Sequence, residues 1–563
     1  MSASRDSQPT FVTLVPLPET LSRSEGPRLD RAAGVLLRSR PIPAGLLLAG
    51  IAVAAFTATP LAYIALRAFG AAGQVWIRLA RTELLSILAN TIFLTGLVTA
   101  GAAILGTALA ILVERTNLPG RAVWRWLLAA PLAIPPFIAA IVYVSLLRPV
   151  GGALPRAAPG FPFPSPFGLA GSAAVLTVVT YPYIYLLAAA ALRALPAAYD
   201  EAARAAGKTT RQLVSQVWLP FLRPAVGAGA LLVALDCLAE YGAVAFLRYP
   251  TFSAAIFREL SGRYDRSAAA ILSLCLIVLA FALVGLETRL LGRGRSHLTG
   301  AAWKPARRVA LGRGKYPALA FPLLCLMLGA GVPVATLGSW WAGDPQSAPA
   351  FSRLASSSIQ SLASAGLAAA LAVALSLPIG YLASRFPSRG TYVLAQFSQV
   401  GYALPGVVVA LSLLLAVNQL APFLYGSAFV VTLAYVLRYF PQAVRGTKSA
   451  LGRVPPGMEE AARGLGRRPL AAFLEVVIPT ILPGLAASAG LVFLSSLKEL
   501  PATLLLRPAG FSTLAVEVWQ NANEGFYAEA AAPGLLLIAA SMAALALLLR
   551  APRERRGALG LGE

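Results

Sequence analysis

Twelve stretches of this chain, at about 43–67, 89–113, 126–147, 169–192, 225–246, 267–288, 317–341, 358–383, 393–417, 427–447, 483–505 and 528–549, are apolar and almost free of charge. Each reaches the ~20 residues that an α-helix needs to cross the hydrocarbon of a bilayer. In lipid no water is at hand for the backbone, so a stretch of this kind becomes a helix that satisfies its own N–H and C=O groups. A soluble fold is excluded by composition. Of the 563 residues, 58% are hydrophobic and only 12% charged, whereas ordinary globular domains carry about 25% charged residues. The chain reads as an all-α polytopic membrane protein with about twelve transmembrane helices.

The charged minority is unbalanced, with 47 Lys and Arg against 23 Asp and Glu and a net charge of +24. That excess does not read as a nucleic-acid surface, because the arginines fall in short gaps between apolar runs and no basic patch is interleaved with aromatics. Most of them lie on one set of alternate loops and in the two tails. This is the positive-inside pattern, which assigns both termini to the cytoplasm. The polar, Pro-containing segment 1–42 lacks the features of a cleaved signal peptide and reads as a cytoplasmic tail. A single His (His297) in the basic linker and three Cys (Cys237, Cys275, Cys325) inside apolar runs offer no zinc site or disulfide framework of ordinary spacing.

The chain is also duplicated. Leu195-Pro196, Glu201-Ala202-Ala203 and Gly207 recur as Val454-Pro455, Glu460-Ala461-Ala462 and Gly466, and Val217, Leu219 and Pro220 recur as Val476, Ile478 and Pro479. The same spacing of 259 residues relates Pro224 to Pro483, Glu240 to Glu499, Arg248 to Arg507 and Phe252-Ser253 to Phe511-Ser512. Nearer each start the spacing is 270 residues, as between Arg115, Ala133 and Pro135 and their counterparts Arg385, Ala403 and Pro405. The longer loop between Arg148 and Gly168 accounts for the change. The division is then a tail, 1–42; a first half, 43–290, with a loop at 196–220; a basic linker, 291–316; a second half, 317–550, with a loop at 455–479; and a tail, 551–563. Six spans per half in the same orientation imply a pseudo-twofold axis along the membrane normal, a common transporter design.

The repeated loop is the most specific signal. Pro196 suits the first turn of a short helix and Gly207 the residue that ends one. A second helix can then open on a capping box, Thr209 with Gln212, or on Pro469 in the other copy. Ala202, Ala203 and Ala206, with Ala461 and Ala462, form a small-residue face for a close partner, beside the acceptors Glu201 and Glu460.

This double loop resembles the EAA loop of the membrane subunits of binding-protein-dependent ABC importers. The resemblance implies the type I importer permease fold in a bacterial inner membrane and a coupling role for Glu201, Ala202, Ala203, Gly207, Pro220, Glu460, Ala461, Ala462, Gly466 and Pro479. It further implies two copies of a cytoplasmic ATPase, which would use ATP and Mg²⁺, and a periplasmic substrate-binding protein. No cofactor and no catalytic residue are expected on this chain. Leu497-Lys498-Glu499-Leu500-Pro501-Ala502-Thr503, continuing to Arg507-Pro508 and Gly510-Phe511-Ser512-Thr513, is similar to the fused permeases of ferric-iron importers. So is the first-half counterpart, Glu240-Tyr241-Gly242-Ala243-Val244 with Tyr249-Pro250-Thr251-Phe252 and Tyr264-Asp265-Arg266. Fused permeases for thiamine, phosphonates or polyamines share the loops, so cargo stays open between these and ferric iron. An ion-coupled twelve-span carrier is the other transport reading.

Asp236, Glu240, Lys498 and Glu499 fall within apolar spans, where each charge would cost ~2.5–3.5 kcal/mol at a helix centre. They are therefore expected to face the protein interior. Asp236 and Glu240 are four residues apart and share a helix face. One reading is an acidic path for a passing cation; the other is a structural cluster in which Lys498 neutralises a carboxylate on the facing helix. Gly207-Lys208-Thr209 is not read as a phosphate-binding loop, since Ala202 stands where its first Gly is required. Glu114-Arg115 is read as topological charge. Pro135, Pro136, Pro182, Pro405 and Pro441 are candidate hinges, cavity-lining breaks or tolerated kinks.

Overall fold

A computed structural model of the chain describes residues 42–159, 161–291, 308–343, 349–398, 401 and 404–550. The tail 1–41, most of the basic linker with His297, and the tail 551–563 lie outside the described residues. Among those described there is no strand, only an isolated bridge between Thr116 and Val309. The helices include, in chain order, α1 (Ala44–Phe69), α2 (Leu84–Arg115), α3 (Pro136–Leu147), α4 (Gly168–Ala194), α5 (Ala197–Ala205), α6 (Thr210–Ala239), α7 (Phe252–Ser261), α8 (Arg266–Leu291), α9 (Gly312–Gly343), α10 (Phe351–Arg385), α11 (Gly406–Leu420), α12 (Ala428–Leu451), α13 (Pro456–Gly464), α14 (Pro469–Leu497), α15 (Leu514–Glu524) and α16 (Tyr527–Arg550).

Each expected span meets a helix, but not all are simple rods. Among the described residues nine helices are long and apolar enough to cross a membrane, and a tenth is the pair Arg121–Ala133 and α3, bent by 85°. Pro135 and Pro136 cause that bend, because neither can donate a backbone hydrogen bond. The expected span at 393–417 is also divided, into Arg389–Phe397 and the 15-residue α11, which opens after Pro405. At 1.5 Å per residue α11 is roughly 22 Å long, short of the ~30 Å core. The stretch at 427–447 is one continuous helix, α12, but it carries Arg438, Arg445 and Lys448 and is not lipid-like. Pro182 and Pro441 sit inside continuous helices and are tolerated kinks.

Three long helices share one device. A π-turn ends two residues before a proline at Val214–Trp218 and Pro220, Phe473–Val477 and Pro479, and Met327–Gly331 and Pro333. Widening the turn there makes room for the ring and for the missing donor, so the helix continues. In α6 and α14 this joins the second helix of each repeated loop to a membrane span without a break.

The halves interlock. α1 packs against α10 and α11 of the second half as well as α8 of its own, and Ser412 Oγ donates to the Pro60 carbonyl at 3.2 Å. Reciprocally, α9 reaches the first half, where Tyr143 donates to the Leu328 carbonyl at 2.5 Å. The repeat register also shifts once. α7 and α15 begin after Thr251 and Thr513, so these threonines correspond, 262 residues apart. Phe511 and Ser512 lie in a loop that is three residues longer and turns at Gly510, φ +78°, and they are not the counterparts of Phe252 and Ser253.

Gly329 sets the closest approach of α9 to the first half: a Cβ there would lie 2.6 Å from the Val178 carbonyl oxygen and 2.7 Å from Pro131. Backbone cannot give way cheaply, and overpacking of this kind costs ~1–3 kcal/mol. Gly329→Val is expected to lower the thermal midpoint of the detergent-purified protein by several degrees, while Gly338→Ala, which meets nothing within 4 Å, leaves it unchanged.

Candidate coupling surface and intramembrane charge cluster

The repeated loops have nearly identical geometry. α5 ends in paired hydrogen bonds, Gly207 N–H to the Arg204 carbonyl at 2.9 Å and Lys208 N–H to the Ala203 carbonyl at 3.0 Å. α13 ends likewise, with Gly466 N–H on Arg463 at 3.0 Å and Arg467 N–H on Ala462 at 3.2 Å. Gly207 and Gly466 hold φ of +73° and +85°, a left-handed conformation that favours glycine. The chain then turns into α6 through the expected capping box, in which Thr209 N–H meets Gln212 Oε1 at 2.9 Å and Gln212 N–H meets Thr209 Oγ1 at 3.3 Å. In the second copy Pro469 takes the first helical position.

Glu201, Ala202, Glu460 and Ala461 are exposed, as are Pro220 and Pro479, whereas Ala203 and Ala462 are buried. The expected small-residue face is thus split. Ala203 and Ala462 pack inward against this chain, because they lie on the face of the short helix that also carries Asp200 and Glu459. Ala202, Ala206 and Ala461, with the two glutamates, are presented outward.

Those inward acids are the residues that sequence reasoning missed. Arg115, buried at the end of α2, donates to Asp200 Oδ2 at 3.0 Å and to the Leu192 carbonyl at 2.7 Å. Trp218 Nε1 donates to Asp200 Oδ1 at 2.8 Å, and its ring lies under the Arg115 guanidinium. In the second half Arg385 sits 3.7 Å from Glu459 and donates to the Val454 carbonyl at 3.0 Å, while Tyr381 donates to Glu459 at 2.6 Å. Arg115 and Arg385 are repeat counterparts, as are Asp200 and Glu459; that double recurrence was the available signal. Glu114 is likewise more than topological charge. Its buried carboxylate takes Arg125 at 2.5 Å and Arg193 at 2.6 Å. Each short helix is therefore fastened to the membrane core through a buried ion pair.

Glu240, Lys498 and Glu499 occupy helix breaks and Asp236 lies in the last turn of α6, so none is at a helix centre. α6 stops at Glu240, whose backbone turns extended, and α14 stops at Lys498. Past each break the glutamate accepts the N–H three residues on, Glu240 from Ala243 at 2.8 Å and Glu499 from Ala502 at 3.2 Å. Beyond this shared feature the halves diverge. Glu499, 3% exposed, is paired with Arg438 of α12 and accepts from Tyr439 at 2.6 Å. In the first half the positions corresponding to Arg438 and Tyr439 are Val179 and Thr180. Asp236 and Glu240 remain partly accessible, and no described residue donates a hydrogen bond to the Asp236 carboxylate. Lys498 makes no ion pair within 4 Å among the described residues. It crosses instead to the Leu132 carbonyl of the first half at 2.8 Å, with its charge in electrostatic reach of Asp236 and Glu240 on the facing helix but beyond ion-pair distance, and Glu499 is neutralised separately by Arg438. Just past Glu240, on the side away from the loops, Phe257 stacks on Tyr241 at 4.2 Å between centroids, and Trp519 meets Tyr241 and Phe246 at 5.5 and 4.8 Å. Phe257 and Trp519 are counterparts in the 262-residue register, so this aromatic cluster bridges the halves.

Gly406 opens α11 directly against the Glu499–Arg438 pair, where any Cβ would collide with both side chains. Removing one partner from a buried pair costs ~3–5 kcal/mol. Arg438→Met is therefore expected to destabilise the protein by that order, and Arg438→Met with Glu499→Gln to recover most of the loss in thermal unfolding. Gly406→Ala should resemble Arg438→Met.

Comparison with known proteins places these features in a family. The sequence family described as "Binding-protein-dependent transport system inner membrane component" matches twice, over residues 102–293 and 376–551. The Fe(3+)-transport system permease protein FbpB 2 of Haemophilus influenzae is 33% identical over 486 residues, covering 85% of this chain and 92% of the relative. The ferric transport system permease protein FbpB of Actinobacillus pleuropneumoniae is 22% identical over 498 residues, 84% of this chain and 72% of the relative. Two buried-anchored loops on two homologous halves, with a family match over each half, establish that the chain belongs to the binding-protein-dependent transport system inner membrane components, the permease subunits of ABC importers.

Proposed function

We propose that this chain forms the translocation path of an importer for ferric iron, driven by two copies of a separate ATPase and supplied by a periplasmic binding protein. The observation that carries the coupling reading is the pair of loops, each presenting an exposed glutamate and alanine on a helix bolted to the core by a buried ion pair. A helix held only by a flexible loop would absorb a push from a partner. One fixed through Arg115 and Asp200, or Arg385 and Glu459, passes the push to α2 and α10. ATP and Mg²⁺ belong to the ATPase, whose closure would favour one of two arrangements of the halves by binding it more tightly. On this reading the loops and both termini are cytoplasmic, in agreement with the positive charge around Gly207 and Gly466.

Ferric cargo is supported by the two relatives named as ferric-iron permeases and by the accessible carboxylates of the first half. Asp236 and Glu240 share a face, lie beside the break in α6 and lack the arginine that satisfies Glu499. A passing cation would find acceptors there and a neutralised wall opposite.

Three outcomes test the proposal. Glu201→Lys with Glu460→Lys is expected to abolish ATP-driven ⁵⁵Fe uptake in proteoliposomes containing ATPase and binding protein, while membrane insertion stays normal. Unchanged uptake would remove the coupling assignment. Arg115→Ala should lower stability by ~3–5 kcal/mol, and adding Asp200→Ala should recover stability but not uptake. Asp236→Asn with Glu240→Gln is expected to cut iron uptake at least tenfold with receptor-stimulated ATP hydrolysis retained.

A further inference from the structure

α7 and α15 occupy equivalent seats on the side away from the coupling loops. Each opens with a backbone N–H donated to a hydroxyl near the start of a long span: Phe252 to Thr91 Oγ1 at 3.1 Å, and Leu514 to Ser361 Oγ at 2.8 Å. Thr91 and Ser361 are counterparts in the 270-residue register. The inward apolar residues also match, with Phe252 and Ile256 in one helix and Leu514 and Val518 in the other, all buried. Backbone bonding and apolar packing would therefore accept either helix in either seat. Exchange is a real alternative in this fold, since α1 and α9 already pack across the halves.

The seats differ in charge at their rims. Glu83, just before α2, is paired with Arg258 of α7 and lies 3.8 Å from Arg263. Arg353, at the corresponding position in α10, is paired with Glu517 of α15 at 2.8 Å. One position thus carries opposite charge in the two halves, and each helix brings the complement. Arg258 stands seven residues after Thr251 and Glu517 four after Thr513, one turn apart on the same face. Glu83, Arg258 and Arg353 are 31%, 43% and 57% exposed, so the Glu83–Arg258 pair adds little to stability, whereas Glu517, at 4%, is buried and needs its arginine. Both pairs act on choice, because exchange would set Glu517 beside Glu83 and Arg258 beside Arg353, opposing like charges in both seats.

We infer that the two reversed ion pairs form a recognition key that confines α7 and α15 each to its own half as the chain assembles in the membrane. The test uses the full-length chain with Cys237, Cys275 and Cys325 replaced by Ser. A reporter cysteine beside position 83 is combined with one near the end of α7 or of α15, and own-half and exchanged disulfides are counted. Arg353→Glu with Glu517→Arg keeps two ion pairs but gives both halves the same polarity. The exchanged product is expected to rise roughly tenfold or, if exchanged chains are degraded, folded yield to fall by a similar factor. Adding Glu83→Arg and Arg258→Glu, which inverts both halves and restores their difference, should return both measures toward the parent. A same-polarity variant with parental yield and no exchanged product would overturn the key. So would an all-inverted variant that fails as badly as the same-polarity one, since the damage would then come from the substitutions themselves.

Discussion

Backbone polar groups cannot be left unpaired in hydrocarbon, and the rest of the molecule is arranged around that constraint. Long uninterrupted helices face lipid, and where a proline threatens one of them the helix widens into a π-turn and continues. True breaks occur only where the surrounding protein can receive the freed groups. Those at Pro135, Glu240, Lys498 and Pro405 gather near the contact between the halves. There the freed amides of Ala243 and Ala502 find carboxylates, and the freed carbonyl of Leu132 finds Lys498. The interrupted backbone and the intramembrane charge are one feature, each accounting for the other.

Duplication supplies the scaffold and departures from it supply the distinctions. The short helices α5 and α13 and their terminating glycines are repeated closely, and each has an arginine–acid anchor, although Asp200 is bonded by Arg115 and Trp218 and Glu459 by Tyr381, with Arg385 at 3.7 Å. The charges around the breaks are not repeated. Glu499 is sealed by Arg438 and Tyr439, whereas Glu240 and Asp236 keep partial access. A second departure lies at the opposite face, where Glu83 and Arg353 exchange sign at a shared position. A strictly symmetric pair of halves would seal both glutamates alike; here Glu499 has an arginine partner and Glu240 has none at the corresponding position.

The anchors explain how a nine-residue helix outside the long spans is held in place. Isolated helices of that length are marginal in water, so α5 and α13 depend on their attachment. Buried ion pairs of this kind are weak evidence for stability, because desolvation offsets much of their attraction. Their geometric consequence is plainer. Asp200 is held from two directions, by the Arg115 guanidinium and the Trp218 indole, which join the end of α2 to the start of α6 through one carboxylate.

Local chemistry was legible before any coordinates. Apolar length dictated helices, Gly207 and Gly466 dictated where α5 and α13 end, and the Thr209–Gln212 capping box could be read directly, because each depends on neighbours a few residues apart. Long-range geometry was not. The sequence shows Asp200 and Glu459 only as acids beside more conspicuous glutamates, and nothing local tells that they point inward to an arginine some 70 to 85 residues earlier. Apolar stretches do not announce that a helix will break at Glu240 or that α12 will turn its arginine toward Glu499. The three-residue register shift before Thr513 is likewise invisible to an alignment that matches Phe511 with Phe252. By itself the sequence determined class, repeat and the form of the duplicated loop, since these follow from hydropathy and short-range hydrogen bonding. Which carboxylates are sealed, which stay accessible and which half each helix serves were decided by tertiary packing, because a buried charge takes its meaning from partners that only the folded chain brings near.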